Sequence, residues 1–169
     1  DLLDLTKIHS EGKDKKYEAV DLFDITKNAI ETIHPYAIQK EVEINLHARE
    51  PIVVYADPND MDVVMNNLIS NAVKYNTYQG KVDVSMTKRE QQIILQVSDT
   101  GIGMKEEDTS KLFNEFVRIK NEKTRKITGS GLGLSIVKKV IDLYGGSIKV
   151  DSQPDQGSTF TVVLPLYNQ

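Results

Sequence analysis

The sequence contains no cysteine and no tryptophan, and aromatic residues of all kinds make up only 7% of it. Without cysteine the chain has no disulfide, no thiolate nucleophile and no cysteine-based zinc site. The lack of disulfides also fits a reducing, cytosolic setting. Hydrophobic residues still make up 39% of the 169 residues. That is enough to bury the core of one domain with a short appendage.

Long apolar runs and a surplus of basic charge are also missing. No apolar stretch approaches the roughly 20 residues of a membrane-spanning helix, and no signal-peptide pattern opens the chain. The formal net charge is −4, with basic and acidic residues interleaved, whereas nucleic-acid-binding proteins usually carry a basic stripe. We therefore expect a cytoplasmic location, no nucleic-acid partner, and no membrane contact from this part of the protein.

Hydrophobic periodicity divides the chain into a short appendage, residues 1–16, and one domain, residues 17–169. Leu2, Leu3, Leu5 and Ile8 share a helical face that we interpret as the tail of a longer helix, and residues 10–16 form a charged linker. Strands are predicted at 17–22, 42–46, 52–56, 81–88, 93–98, 147–151 and 158–164. Helices are predicted at 23–40, 58–75, 106–116 and 132–144.

Helix boundaries within this pattern carry their own signals. Pro35 predicts a kink or a shorter first helix. Asp57 and Pro58 predict the N-cap and first position of the second helix. Since strands and helices both recur, the chain is predicted to be α+β, with the helices on one face of a sheet.

The second predicted helix carries a polar wedge beside its apolar face. Asn67, Asn71, Lys74 and Tyr75 share an arc of about 100° on a helical projection. Asparagine carbonyls suit Mg²⁺, and a neighbouring lysine suits phosphate. An ordinary solvated helix face explains this segment equally well.

Asp99-Thr100-Gly101-Ile102-Gly103 follows directly after a predicted strand. The carboxylate of Asp99 only accepts hydrogen bonds and therefore suits the exocyclic amine of adenine. The glycines allow the backbone to approach a flat ring. A plain Asp-Gly turn is the alternative, because a single D-x-G-x-G is weak by itself.

Two further segments lie downstream. Phe113 and Phe116, followed by the polar stretch 119–128, fit either core packing or a lid over a phosphate chain. Residues 129–134, Gly-Ser-Gly-Leu-Gly-Leu, open the clearest helix, whose unpaired N–H groups and positive end form an anion site. The G-x-G-x-G spacing and the late position of this segment disfavour a dinucleotide-binding fold. A P-loop is also disfavoured, because the segment is not followed by the G-K-[ST] of that motif.

These four segments, in this order, resemble the catalytic ATP-binding domain of sensor histidine kinases, within the wider group that includes type II topoisomerases, Hsp90 and MutL. Residues 67–75 resemble the N box, 99–103 the G1 box, 112–118 the F box and 129–134 the G2 box. The similarity covers roughly residues 17–166. It implies a two-layer α/β sandwich in which a mixed, largely antiparallel five-stranded sheet carries three helices on one face.

The resemblance also implies ATP and Mg²⁺ as the bound groups. Asn71 and Asn67 would hold Mg²⁺, and Asn67, Lys74 and Arg118 would be the catalytic residues, with Lys74 and Arg118 close to phosphate. Asp99 would hold the adenine amine. The rest of the implied nucleotide site consists of Tyr75, Gly101, Ile102, Gly103, Gly129, Gly131, Leu132, Gly133, Leu134 and Thr159, the last reaching the Asp99–adenine network.

No histidine of the chain fits the acceptor pattern of this family. The acceptor is followed closely by an acidic residue and usually by proline a few places on. By contrast, His9 precedes Ser-Glu-Gly, His34 precedes Pro-Tyr inside a predicted helix, and His47 ends a predicted strand. The resemblance therefore implies phosphate transfer to a separate dimerisation and histidine-acceptor domain of the same parent protein. A response-regulator receiver domain would be a further partner. Because the dimerisation hairpin supplies the dimer contacts in this family, we expect a monomer or a weak dimer.

The sequence departs from the family pattern at three positions, and two other functions stay open. Asp60 stands where a basic residue is common, Val63 where glutamine is, and Val117 where an aromatic residue is. A related ATPase, or a serine kinase of the anti-sigma type, is one alternative. The ATPases generally carry glutamate where Asn67 stands, and asparagine cannot act as a base. A nucleotide-binding module without transfer activity is the other.

Overall fold

The computed structural model describes residues 15–166, so the predicted helix at residues 2–8 and most of the predicted linker lie outside the described range. Within this range the chain forms four helices and seven strands. They are β1 (Glu18–Asp21), α1 (Leu22–Gln39), β2 (Glu43–Ala48), β3 (Val53–Ala56), α2 (Pro58–Lys74), β4 (Lys81–Arg89), β5 (Gln92–Asp99), α3 (Glu106–Thr109), α4 (Gly133–Leu143), β6 (Ser147–Gln153) and β7 (Gly157–Pro165).

Five of the strands form one mixed sheet in the order β2-β4-β5-β7-β6. β2 runs parallel to β4, and the other neighbours pair antiparallel. β1 and β3 pair antiparallel as a separate two-stranded ribbon. The implied five-stranded, largely antiparallel sheet is confirmed.

The sheet buries one face against α1, α2 and α4 and presents the other to solvent. On β4, the alternate residues Val82, Val84 and Met86 are buried, while Lys81 and Asp83 are exposed, as the two-residue period of a strand requires. The buried side chains of the helices and the strands belong to one apolar cluster. The implied two-layer sandwich with three helices on one face is confirmed.

The predicted helix at 23–40 is confirmed as α1, which continues past Pro35, so the shorter helix that Pro35 suggested is wrong. α1 runs for 18 residues, and the Asp21 side chain caps it by accepting a hydrogen bond from the Phe23 N–H at 2.9 Å. Proline removes one helical hydrogen bond, but Pro35 and Glu31, four residues before it, both lie on the exposed side. Burial of Thr26, Ala29 and Ala37 on the other side stabilises the helix through this point.

The predicted helix at 106–116 is wrong beyond its first turn. α3 spans only Glu106–Thr109, and irregular turns follow. Phe116 has a φ of +59°, which an α-helix does not allow, and Phe113 packs edge-on against Phe160, with ring centroids 6.5 Å apart. Tertiary packing of the aromatic ring therefore overrides the local helical pattern.

Candidate functional site

A cavity of about 190 Å³ opens between the C-terminal half of α2, the turn after β5 and the loop before α4. Most of the residues that sequence analysis assigned to a site lie around it. From that set the cavity is lined by Asn67, Asn71, Lys74, Tyr75, Asp99, Ile102, Gly103, Arg118, Gly129, Gly131, Gly133 and Leu134. Segments far apart in the sequence therefore meet at one place, although their roles toward a ligand stay predictions.

The α2 wall contains the polar wedge predicted from the helical projection. The Asn67 Nδ2 donates to the carbonyl of Val63 at 2.7 Å, which fixes the amide group. Its Oδ1 faces Gly133, where a β-carbon would lie only 2.6 Å away. A side chain at position 133 would therefore displace the Asn67 amide, and glycine leaves this amide in place where α2 approaches α4.

Asp99 ends β5 with its carboxylate in the cavity. Its Oδ1 accepts a hydrogen bond from the Gly101 N–H at 2.8 Å, and the Ser158 N–H also donates to the carboxylate. Burial raises the pKa of Asp99 to about 6, although these two hydrogen bonds act in the opposite direction. A half-buried carboxylate with remaining acceptor capacity and no ion pair within residues 15–166 is suited to bind a polar N–H group of a ligand.

The turn after Asp99 is fixed by the elements on both sides of it. The Ile102 N–H donates to the Tyr75 carbonyl at 3.1 Å, and the Ile102 carbonyl accepts from the Asp155 N–H at 2.8 Å. Gly103 has a φ of +61°, and a β-carbon there would overlap the Gln153 carbonyl. The backbone lining this end of the cavity is therefore closely constrained.

The polar stretch predicted as a lid forms a loop with its own hydrogen bonds. The buried Thr124 hydroxyl donates to the Ile119 carbonyl at 2.6 Å, and the Asn121 side chain accepts from the Thr124 N–H at 3.0 Å. The Arg118 guanidinium donates to the Ile127 carbonyl, which closes the loop over the cavity. In this structure Arg118 is thus used within the loop, although it also lines the cavity.

The glycine-rich segment brings the N-terminus of α4 to the cavity. Gly131 and Gly133 line the cavity on either side of Leu132, which is 1% exposed and packs with Ile136 and Val63. α4 begins at Gly133 and runs for 11 residues, so its first N–H groups and positive dipole end point toward this region. Leu132 anchors the segment rather than lining the cavity.

Two other predicted residues do not line this cavity. Gly101 lies behind it, where a β-carbon would approach the Tyr75 carbonyl to 2.3 Å. The predicted reach of Thr159 toward Asp99 is wrong, because its hydroxyl pairs with Ser98 on the opposite face of the sheet. The residue opposite Asp99 in the β5–β7 register is Ser158, since successive side chains alternate between faces.

Several lining residues were not predicted. The position of Ser158 in the cavity wall follows from the register of β5 with β7, which cannot be predicted from the sequence. The others were missed because they come from irregular segments or from apolar positions that look like ordinary core. The missed lining residues are Ser70, Met104, Leu112, Val117, Ile119, Asn121, Thr124, Thr128, Ser130, Ser158 and Phe160.

The donor set at this cavity fits a divalent cation only together with an anionic ligand. Within residues 15–166, no group of three or more histidine, cysteine or acidic side chains could hold a metal by itself. Asn67 and Asn71 lie one turn apart on the cavity wall and present neutral amide oxygens. Mg²⁺ typically combines a few protein oxygens with substrate phosphates and water, so this pair fits that ion.

Among the described residues, no helix has the length and apolar character to cross a bilayer.

Comparison with known proteins places the whole site in one family. Residues 56–168 match the family model described as "Histidine kinase-, DNA gyrase B-, and HSP90-like ATPase". The circadian input-output histidine kinase CikA of Synechococcus elongatus is 34% identical over 168 residues, covering 98% of this chain and 22% of that protein. The chain spans between 20% and 44% of the length of the first curated relatives it matches.

Solved structures agree with this placement. The mycobacterial sensor histidine kinase MprB is 27% identical with a TM-score of 0.76, covering 89% of this chain and 97% of that one. ShkA, solved full-length in complex with AMPPNP, shares the fold with a TM-score of 0.84 at 24% identity, covering 99% of this chain and 35% of that one. The chain belongs to the histidine kinase-, DNA gyrase B- and HSP90-like ATPase family, and within it the chain is similar to the catalytic domains of sensor histidine kinases.

Proposed function

We propose that the cavity binds Mg·ATP and that the chain donates the γ-phosphate to a histidine on a separate domain. One observation carries the proposal. The Asp99 carboxylate, the Asn67–Asn71–Lys74 wall of α2 and the N-terminus of α4 line the same cavity. One ligand in this cavity would therefore meet an acceptor for the amine of a base, groups that suit phosphate and groups that suit Mg²⁺.

The base would bind at the Asp99 end of the cavity. The carboxylate would accept a hydrogen bond from the adenine amine, and the fixed turn at Ile102 and Gly103 would flank the ring. Met104, Leu112 and Phe160 line the cavity as well and offer apolar surface to a flat ring. Tyr75, at the end of α2, would pack near the adenine or the ribose.

The phosphates would bind between α2 and α4. Lys74 and the first N–H groups of α4 would neutralise phosphate charge, and Arg118 would approach the γ-phosphate after leaving the Ile127 carbonyl. Asn71, whose side chain makes no hydrogen bond to residues 15–166, would hold Mg²⁺ together with Asn67. When bound, Mg²⁺ would neutralise charge on the transferred phosphate.

The acceptor would come from outside the catalytic domain. His34 and His47 are exposed and do not line the cavity, and His47 instead pairs with Asp83 at 2.9 Å. We assign no general base within the chain. Asn67 cannot activate water, and its Nδ2 is bound to a backbone carbonyl, which favours phosphate transfer over hydrolysis.

The proposed partners follow from the same role. They are the dimerisation and histidine-acceptor domain of the parent protein and the receiver domain of a response regulator. We propose a cytoplasmic location and a monomer or weak dimer for this chain alone.

Entry of the nucleotide requires the loop at 117–131 to move outward. The cavity of about 190 Å³ is smaller than the roughly 300–1,000 Å³ typical of ligand sites. The hydrogen bond between Arg118 and Ile127 joins two residues of the loop, and the ion pair from Lys123 to Asp155, in the turn between β6 and β7, lies at the exposed surface. The loop can therefore open without disrupting the core.

Calorimetric titration of the chain with ADP and a non-hydrolysable ATP analogue, with and without Mg²⁺, tests nucleotide binding. We expect saturable binding that Asp99→Asn weakens by about 1–3 kcal/mol, or roughly 5- to 150-fold. Asp24→Asn, on the exposed side of α1, is the matched control and should bind like the unmodified chain. No binding by a folded sample would contradict the proposal and favour a docking module.

Transfer is tested separately with labelled ATP and a supplied histidine-acceptor domain. Labelled phosphate should appear on the acceptor and should be lost in Asn71→Ala. Slow hydrolysis without transfer that disappears in Asn67→Ala would instead support an ATPase.

A further inference from the structure

Lys40, just past the end of α1, inserts its side chain among three backbone carbonyls at the end of α2. Its Nζ donates to the carbonyls of Lys74 at 2.6 Å, Asn76 at 2.8 Å and Val73 at 3.3 Å. Within residues 15–166 no carboxylate forms an ion pair with it, and burial lowers the pKa of its ammonium group. A half-buried cation is thus held by three carbonyl oxygens, with the centroid of the Tyr36 ring 5.9 Å from its Nζ.

The Val73 and Lys74 carbonyls are among the last four of α2, and the Asn76 carbonyl lies just past its C-cap. A cation placed there satisfies their hydrogen-bonding capacity and opposes the negative end of the helix dipole. The Tyr75 N–H caps α2 on the backbone by donating to the Asn71 and Val73 carbonyls, and Lys40 adds a cation from just past the end of α1. The Lys40 carbonyl also accepts from the Gln79 N–H at 3.0 Å, so one residue holds both ends of the turn after α2.

The turn held by Lys40 contacts the base end of the cavity directly. The Tyr75 carbonyl accepts the Ile102 N–H, and the buried Asn76 accepts from the Thr100 hydroxyl at 3.2 Å. The Tyr75 carbonyl also lies where a β-carbon on Gly101 would meet it at 2.3 Å. A shift of the end of α2 would therefore displace the turn that follows Asp99.

We propose that Lys40 is a positioning residue for the base end of the nucleotide site. Its ammonium fixes the carbonyls that end α2, and this sets the placement of Tyr75 against the turn from Asp99 to Gly103. Lys40 does not line the cavity, so it acts on the nucleotide only through these groups. The inference rests on the proposed nucleotide binding.

The test compares Lys40→Met with Lys27→Met, an exposed lysine within α1, by calorimetry in the full chain. Lys40→Met should weaken the binding of ADP and of a non-hydrolysable ATP analogue by the same factor, about tenfold, with or without Mg²⁺. Lys27→Met should change neither. In the double variant with Asp99→Asn the two losses should be less than additive, because both act on the base end.

A merely structural role for Lys40 predicts different results. Damage to the fold would lower the fraction of binding-competent protein without changing the Kd of the rest, and calorimetry separates the two. An unchanged Kd, a loss confined to the ATP analogue, or losses fully additive with Asp99→Asn would overturn the inference. If the unmodified chain bound no nucleotide, the proposed function would itself fail.

Discussion

At the residue scale, Asp99 is held in a position that suits binding more than stability. Burial raises its pKa to about 6 from an ordinary 3.8, so the folded state favours the protonated form. The stabilising contribution of protonation is complete below about pH 4 and is lost as the pH rises through 6. By linkage, the ionised carboxylate then costs on the order of 2–3 kcal/mol of unfolding free energy at pH 7–8.

Asp99→Asn should therefore stabilise the nucleotide-free protein at pH 8 while it weakens nucleotide binding. Urea denaturation at pH 8 and pH 5 checks this, because the gain of the variant over the unmodified chain should shrink toward pH 5. A variant less stable than the unmodified chain at both pH values would show that Asp99 is retained for the fold.

Sequence reasoning identified Asp99 and the α2 wedge because each has a chemical signature within a few residues. Thr159 was assigned wrongly because its orientation depends on the register of β5 with β7, and pairing between distant strands leaves no local signal. Arg118 was placed at the cavity, but its bond to Ile127 depends on loop geometry. The residues that line the site could be predicted here, whereas the hydrogen-bond partners of their side chains could not.

At the element scale, the N-terminus of α2 is joined to the segment before β1 by an ion pair and hydrogen bonds. Asp60 is 6% exposed, and its carboxylate accepts from the Lys15 ammonium at 2.6 Å and the Tyr144 hydroxyl at 2.7 Å. The Lys16 N–H donates to Asp57, the N-cap of the same helix, at 3.0 Å. The acidic residue that departs from the family pattern therefore joins three segments.

Asp60→Ala should destabilise the domain by about 2–4 kcal/mol, because it leaves a partly buried ammonium and a partly buried hydroxyl without their acceptor. Asp62→Ala, on the same helix and without an ion pair in the described residues, should cost less than about 1 kcal/mol. Urea denaturation of both variants gives the comparison. Equal losses would mean that the ion pair contributes nothing beyond ordinary helix effects.

The start of α4 offers a second matched pair at this scale. A β-carbon on Gly133 would lie 2.6 Å from the Asn67 Oδ1, whereas one on Gly129 would meet nothing within 4 Å. We expect Gly133→Ala to turn the Asn67 amide away and to reduce the Mg²⁺-dependent gain in nucleotide affinity about tenfold.

Gly129→Ala should leave that gain unchanged. Calorimetry with the ATP analogue, with and without Mg²⁺, measures both variants. The same loss in both would show that the segment needs general flexibility rather than space beside Asn67.

Elements with strong periodicity or end signals were predicted well, and the two failures have physical causes. Asp57 caps α2 as expected, with the Asn59 N–H at 2.9 Å from its carboxylate. α1 tolerates Pro35 because the missing bond lies on the solvent side. The predicted helix at 106–116 ends early because Phe113 packs against Phe160 of the core. Phe116 also adopts a positive φ, which ends a helix. In each failure tertiary context outweighs a local rule.

At the scale of the whole molecule, three segments distant in sequence form one site over a helix-covered sheet, and the opposite face of the sheet is polar. A nucleotide bound in the cavity should stabilise 67–75, 99–104 and 129–134 together, and it should also slow exchange in the loop at 117–128. Binding only the folded state adds about 2.7 kcal/mol at a ligand concentration of 100 Kd. Amide exchange that opens by global unfolding should therefore slow about 100-fold.

Hydrogen exchange with and without ADP distinguishes this shared response from a local one. Protection should appear in all four segments at the same nucleotide concentration. We expect the ends of the two-stranded β1–β3 ribbon to exchange by local opening, so their exchange should not change. Protection limited to the α4 segment would indicate that only the helix N-terminus binds phosphate. In that case the Asp99 end of the cavity would not hold a base, and the ligand would be any phosphate-bearing molecule rather than an adenine nucleotide.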